Sequence, residues 1–169
     1  YKEVAINSSS VEELALSPDG KTVAYADSEN VIRLVDVESQ ASSQLFKGHT
    51  SSIKQLAFSP DGQTLASASW KGEVRVWDVG NGKALSALEL GKSMDHINDM
   101  AFSSDSGTLA VATGKELFLL EGKTDWKEKS ELGIDEEMVE NSIAFSSEEG
   151  TTLAICSGGK LGGGIVRVW

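Results

Sequence analysis

A serine closing a short apolar run returns along this chain at Ser17, Ser59, Ser103 and Ser146, at intervals of 42, 44 and 43 residues. A sustained period in that range marks a repeat architecture, in which one unit cannot bury its own apolar faces and gains stability by stacking on its neighbours. Four stretches carry the pattern: "VEELALSPDGKTVAYADSENVIRLVDV", "IKQLAFSPDGQTLASASWKGEVRVWDV", "INDMAFSSDSGTLAVATGKELFLLEG" and "NSIAFSSEEGTTLAICSGGKLGGGIVRVW". Within each, the local signal is β. The first run mixes alternation with short apolar stretches. "SPDG" then suits a tight turn, because Pro presets φ, Asp bonds back to the backbone and Gly tolerates positive φ. The second runs, "TVAYA", "TLASA", "TLAVA" and "TLAIC", are small and apolar on both faces, as strands with a sheet on either side must be. Third runs alternate, with Arg33, Arg75 and Arg167 at matching positions, and the more polar fourth runs suit an outermost strand. The single helix-like stretch, "GIDEEMVENS", reads as a loop with at most one helical turn. Cys156 falls in a second run and is expected to be a buried small hydrophobe.

Charge and composition narrow the function classes. The 169 residues include 26 acidic against 15 basic side chains, a net charge of -11, so direct binding to a phosphate backbone is not expected. No apolar stretch approaches the ~20 residues of a membrane-spanning helix, and no membrane partner is expected. One cysteine leaves no internal disulfide and points to a reducing, intracellular compartment. Two histidines and one cysteine give no spaced zinc-ligand set, so neither metal nor cofactor is expected. "SGGKLGGG" lacks the Gly-Lys-Ser/Thr order and following helix of a phosphate loop and reads as a flexible or bulged hairpin. The acidic run Asp135, Glu136, Glu137 and Glu140 lacks calcium-loop spacing and reads as a solvated connection. No nucleophile, base and orienting group can be assembled, so no enzymatic activity is expected.

The second repeat carries Gly48-His49, Ser59-Pro60-Asp61-Gly62, Ser67 and Trp77-Asp78 at the distances of a WD repeat. In the others the signature has decayed, to Val35-Asp36, Leu120-Glu121 and Trp169. The chain resembles the WD-repeat β-propeller family along essentially its whole length. That resemblance implies an all-β fold of four-stranded antiparallel blades, about four of them present, as part of a larger, seven-bladed ring. The implied division is an outer strand over 1–7, blades over 8–47, 48–91 and 92–133, and an incomplete blade over 134–169. A closed four-bladed ring and one half of an eight-bladed dimer stay open as alternatives.

By the same resemblance, His49, Ser67 and Trp77 form a hydrogen-bonded set fastening the second blade, from which the turn aspartate is missing because Lys71 stands in its place. Residues on the loop-bearing top face implied to contact a partner are Ser10, Glu12, Ser52, Lys54, Trp70, Lys71, His96, Asn98, Asn141 and Lys160. The implied partners are proteins or peptides with acidic or aromatic motifs, and the implied function is a non-enzymatic protein–protein interaction scaffold. The alternative is a regulatory propeller attached to a catalytic domain outside this segment. "VIRLVDVESQASSQLFKGHTSSIKQLAFSPDGQTLASASWKGEVRVWDV" and the later "LAVATGKELFLLEGKTDWKEKSEL", with Trp126 on its outer strand, are similar to the propeller of the replisome adaptors that link DNA polymerase alpha to the replicative helicase. That likeness implies a nuclear role in DNA replication.

Overall fold

The computed structural model describes residues 3, 4, 6, 8, 10–90, 96–114, 116–133, 138–146, 152–159 and 164–168, of which 131–133, 138–141 and 157–159 are described by backbone alone. The described residues form strands and turns with no helix. The first sheet is β1 (Val11–Leu16), β2 (Thr22–Asp27), β3 (Ile32–Asp36) and β4 (Ser42–Phe46). The second is β5 (Ile53–Phe58), β6 (Thr64–Ser69), β7 (Glu73–Asp78) and β8 (Ala84–Glu89). The third is β9 (Ile97–Phe102), β10 (Thr108–Thr113), β11 (Glu116–Glu121) and β12 (Lys127–Gly133), and the fourth has β13 (Met138–Phe145), β14 (Leu153–Gly159) and β15 (Gly164–Val168). All pairings are antiparallel and follow chain order. The first strands β1, β5, β9 and β13 neighbour one another in turn, so successive sheets lie side by side along their inner edges.

The recurring serine has a local cause. Ser17, Ser59 and Ser103 each donate a hydroxyl proton to the aspartate two residues on, at 2.7, 2.6 and 2.6 Å. Each also accepts the amide of the threonine that starts the second strand, at 2.9, 3.0 and 2.9 Å. One side chain therefore closes the hairpin and fixes its register. The fourth turn position has positive φ in all three, 72° at Gly20, 70° at Gly62 and 61° at Ser106, a region glycine enters without steric cost.

Packing between sheets explains the composition of the second runs. Every residue of β6 is buried. Ala66 and Ala68, with Val74 and Val76 of β7, meet Met100, Phe102, Leu109 and Trp126 of the third sheet. Leu65 and Trp77, on the other side of the second sheet, meet Ala24, Ala26, Ile32, Leu34 and Phe46 of the first. Alternate residues on a strand point to opposite faces, so a strand between two sheets must be apolar throughout. A third layer joins Ala110, Ala112 and Leu117 to Ile143, Leu153 and Ile155. Each fully buried aliphatic or aromatic side chain stabilises the stack by about 1.5–3 kcal/mol.

Two sheet faces lie outside this stack. On the first sheet Leu14 and Leu16, which correspond to buried Leu56 and half-buried Phe58 of the second, are 60% and 57% exposed. On the fourth, Cys156, Val166 and Val168 are exposed. Cys156 pairs with Val166 across the hairpin just as Ala68 pairs with Val74. This corrects the expectation of a buried cysteine: the position belongs to a face that is covered in the second sheet and uncovered here. The loop expected over "GIDEEMVENS" is also corrected in part, since Met138–Ser142 begins β13 while 134–137 lie outside the described residues. Of the expected outer strand over 1–7, only Glu3, Val4 and Ile6 are described, and they are not in a strand. No helix among the described residues is long and apolar enough to cross a membrane.

Candidate functional site

Five side chains lock the second sheet to the chain that leads into it. Trp77 Nε1 donates to Ser67 Oγ at 2.8 Å, and Ser67 Oγ lies 2.6 Å from His49 Nε2. His49 Nδ1 lies 3.1 Å from Glu73 Oε2, and Glu73 Oε1 accepts from Arg75 Nε at 2.7 Å. The carboxylate can only accept, so Nδ1 carries the imidazole proton and Nε2 accepts from the serine hydroxyl. Donation thus runs in one direction, from indole through hydroxyl and imidazole to carboxylate. Burial lowers the His49 pKa despite the opposing charge of Glu73, which keeps the ring neutral and suits that direction. Burial, the largest single influence, acts to raise the Glu73 carboxyl, but the bond from Arg75, the neighbouring charges and the Thr50 amide together outweigh it and hold the group below the usual range.

Arg75 also explains Gly48. Its guanidinium sits over the Trp77 ring at 5.6 Å and so close to Gly48 that a Cβ there would meet Nη1 at 2.3 Å. The set expected to be incomplete without a turn aspartate is closed by Glu73, two residues beyond Lys71.

The turn joining β6 to β7 stands at the end of the sheet where the chain enters β5, and it carries Trp70. The Trp70 amide donates to Ser52 O at 2.8 Å, and the Lys71 amide to Ser51 Oγ at 3.3 Å. The Trp70 indole is 51% exposed. It stacks on His96 of the following sheet, with ring centroids 3.7 Å apart and planes at 31°. His96 Nδ1 lies 3.2 Å from Trp70 O, a contact that adds a hydrogen bond when that nitrogen is protonated. The result is a tethered aromatic ledge, exposed on one side and flanked by Lys71, whose ammonium has no partner among the described residues.

Glu12, Ser52 and Lys54 meet on the same end of the stack. Glu12 Oε2 accepts from Ser52 Oγ and, at 2.9 Å, from Lys54 Nζ. The Ser52 hydroxyl first, and Lys54 second, lower the Glu12 pKa. The Lys54 charge is therefore offset by Glu12, leaving Lys71 as the cation beside the ledge. Ser10 is exposed, and Asn98 offers its backbone carbonyl to Gln55 Nε2 at 3.2 Å; neither joins the Trp70 or Glu12 groups. The side chain of Asn141 and all of Lys160 lie outside the described residues. No group of three or more potential metal ligands occurs among the described residues.

A sequence model of the WD domain, G-beta repeat, matches residues 40–78. No curated protein matches the chain closely enough to count as a relative. Among solved structures, the β-propeller domain of Cps50 (Swd1) from Myceliophteria thermophila matches 90% of this chain with a TM-score of 0.76 at 17% identity. The sheets are blades of a β-propeller. The chain spans about half the length of that neighbour (50%), and at 17% identity the likeness concerns the fold.

With the blades placed, several residues acquire roles that the repeat pattern did not flag. Asp99 ties the third blade to the fourth, its Oδ2 accepting from Ser142 Oγ at 2.7 Å and from the Ile143 amide at 2.9 Å. In the first blade buried Asp27 takes the arginine that Glu73 takes in the second: its Oδ2 accepts from Arg33 Nε at 2.8 Å, and its Oδ1 accepts the amides of Glu29 and Val31. The matching positions of Arg33 and Arg75 were a usable signal, but their acids lie on opposite sides of the hairpin turn. No fixed spacing links them.

Proposed function

We propose that this chain is a non-enzymatic scaffold for protein partners, and that the blade end bearing Trp70, Lys71, His96, Glu12, Ser52 and Lys54 is its docking surface. The observation that carries the reading is the ledge: a large aromatic ring, half exposed, held by a stack and a backbone tether to the next blade. An immobilised Trp gives up little entropy on binding and offers apolar area with an N–H at its edge, the combination enriched at interaction hot spots. Lys71 beside it favours a peptide that pairs an acidic residue with an aromatic one. Ser10, Asn98, Asn141 and Lys160, the other positions implied by the family resemblance, belong to the proposal as well. The similarity to replisome adaptors supports a nuclear role in DNA replication within this proposal.

The test is selection of peptides from a displayed library on the intact protein, followed by affinity measurement on Trp70→Ala and Lys71→Ala. Loss of a hot-spot side chain costs about 2 kcal/mol or more, some thirtyfold in Kd. The proposal expects that loss at Trp70 with the thermal midpoint unchanged. Selected peptides that bind both variants as well as the parent overturn it.

A further inference from the structure

At the opposite end of the blades, where β1 joins β2 and β5 joins β6, a groove of about 490 Å3 opens between the first and second turns. That volume lies within the range of small-ligand and side-chain sites. Pro18, Pro60, Phe58 and Val79 supply apolar walls, and Asp19 and Asp61 stand at its edge. Each aspartate spends one oxygen on its own turn: Asp19 Oδ1 accepts from Ser17 Oγ and the Lys21 amide, and Asp61 Oδ1 from Ser59 Oγ and the Gln63 amide. Neither Oδ2 has a partner among the described residues. Two exposed carboxylates therefore border a cleft of mixed apolar and polar lining.

The neighbouring junction carries a contact that this one lacks. Between the second and third blades, Ser106 occupies the positive-φ turn position, and its Oγ accepts the Asp61 amide at 3.1 Å, tying the two turns together. Between the first and second blades that position is Gly62, which has no side chain to reach the Asp19 amide. A Cβ at Gly62 would meet only Pro18 Cδ, at 3.7 Å. One glycine thus separates a junction tied by this hydrogen bond from one that lacks it.

We propose that the groove binds an arginine side chain of a partner protein, the aliphatic stem and flat guanidinium lying against Pro18, Pro60 and Phe58 while its N–H groups bond to Asp19 and Asp61. A planar, permanently charged fork suits two carboxylates and an apolar wall better than an ammonium does. The site is independent of the Trp70 surface, which lies at the other end of the blades.

The test is a heteronuclear NMR titration of the intact protein with the blocked tripeptide acetyl-Gly-Arg-Gly-amide, and with the same peptide carrying uncharged citrulline. Saturable shifts are expected at the amides of Asp19, Asp61, Gly62 and Val79 with the arginine peptide alone. Asp19→Asn with Asp61→Asn keeps the turn acceptors but removes the charge, and should raise Kd at least about tenfold. Gly62→Ser keeps both carboxylates, installs the closure seen at Ser106, and should do the same. No saturable shift up to about 10 mM, equal response to citrulline, or retained binding in either variant overturns the proposal. The citrulline comparison on the parent protein decides the matter even if a variant fails to fold.

Discussion

Glu73 Oε2 lies 3.1 Å from His49 Nδ1, so a carboxylate at the start of β7 completes a proton-donating chain that begins at the Trp77 indole. The imidazole must be neutral for Nε2 to accept from Ser67, and its folded pKa is lowered chiefly by burial.

That depression makes stability depend on pH. The unfolded chain takes up the His49 proton near pH 6.5, while the folded chain resists it to lower pH. Between the two values the unfolded state binds more protons, so the contribution is complete above about pH 6.5 and is lost as pH falls toward the folded value. The slope approaches about 1.4 kcal/mol per pH unit in that window. Denaturant titrations of the parent and His49→Gln from about pH 5 to 7 should show stability falling toward acid in the parent relative to the variant. Subtracting the two removes Glu13, whose carboxyl is raised by burial and acts in the opposite sense. Parallel curves would contradict the assigned direction of the network.

Two buried serines two positions apart should respond in opposite ways. Ser67→Ala leaves both the Trp77 indole N–H and His49 Nε2 without their partner, and unsatisfied buried groups cost about 1–3 kcal/mol each. A loss of about 2–4 kcal/mol is expected for that variant. Ser69 Oγ is buried with no hydrogen-bond partner among the described residues, so Ser69→Ala should be neutral or stabilising by up to about 1 kcal/mol. Chemical denaturation of the two variants side by side decides it, and equal losses would be the contrary result.

Cys156 lies on the uncovered face of the fourth blade with Val166 and Val168. In the 169-residue chain taken by itself, its thiol should react with an aromatic disulfide reagent in the folded state at a rate within a few-fold of the unfolded state. Reaction only on unfolding would show that face to be covered.

Legibility in the sequence followed the range of the interactions. The serine spacing revealed the repeat because the hairpin closures at Ser17, Ser59 and Ser103 are local, made within five residues. The all-apolar second runs revealed sheets on both sides for the same reason that β6 is buried throughout. Cys156 was misread because burial of its strand face depends on a neighbouring blade, which no local run encodes. Met138–Ser142 was misread because the acidic stretch before it masks the alternation of an inner strand. Glu73 was missed because the family pattern places an acid in the turn. A longer side chain two residues later reaches the same imidazole from the strand. Trp70 stood out by size and position, but its stack on His96 depends on how two blades lie together, a relationship with no signature in either segment alone.

Oxidative footprinting of the protein with and without a selected peptide tests the central claim, that partners are gripped by the loop end held in place by blade stacking. Trp77 and Trp126 are almost fully buried, at 2% and 1% exposed, and serve as internal references. The account predicts strong protection of Trp70 and His96 on binding, with the two buried indoles unchanged. A bound peptide that leaves Trp70 as open to oxidation as in the free protein would contradict it.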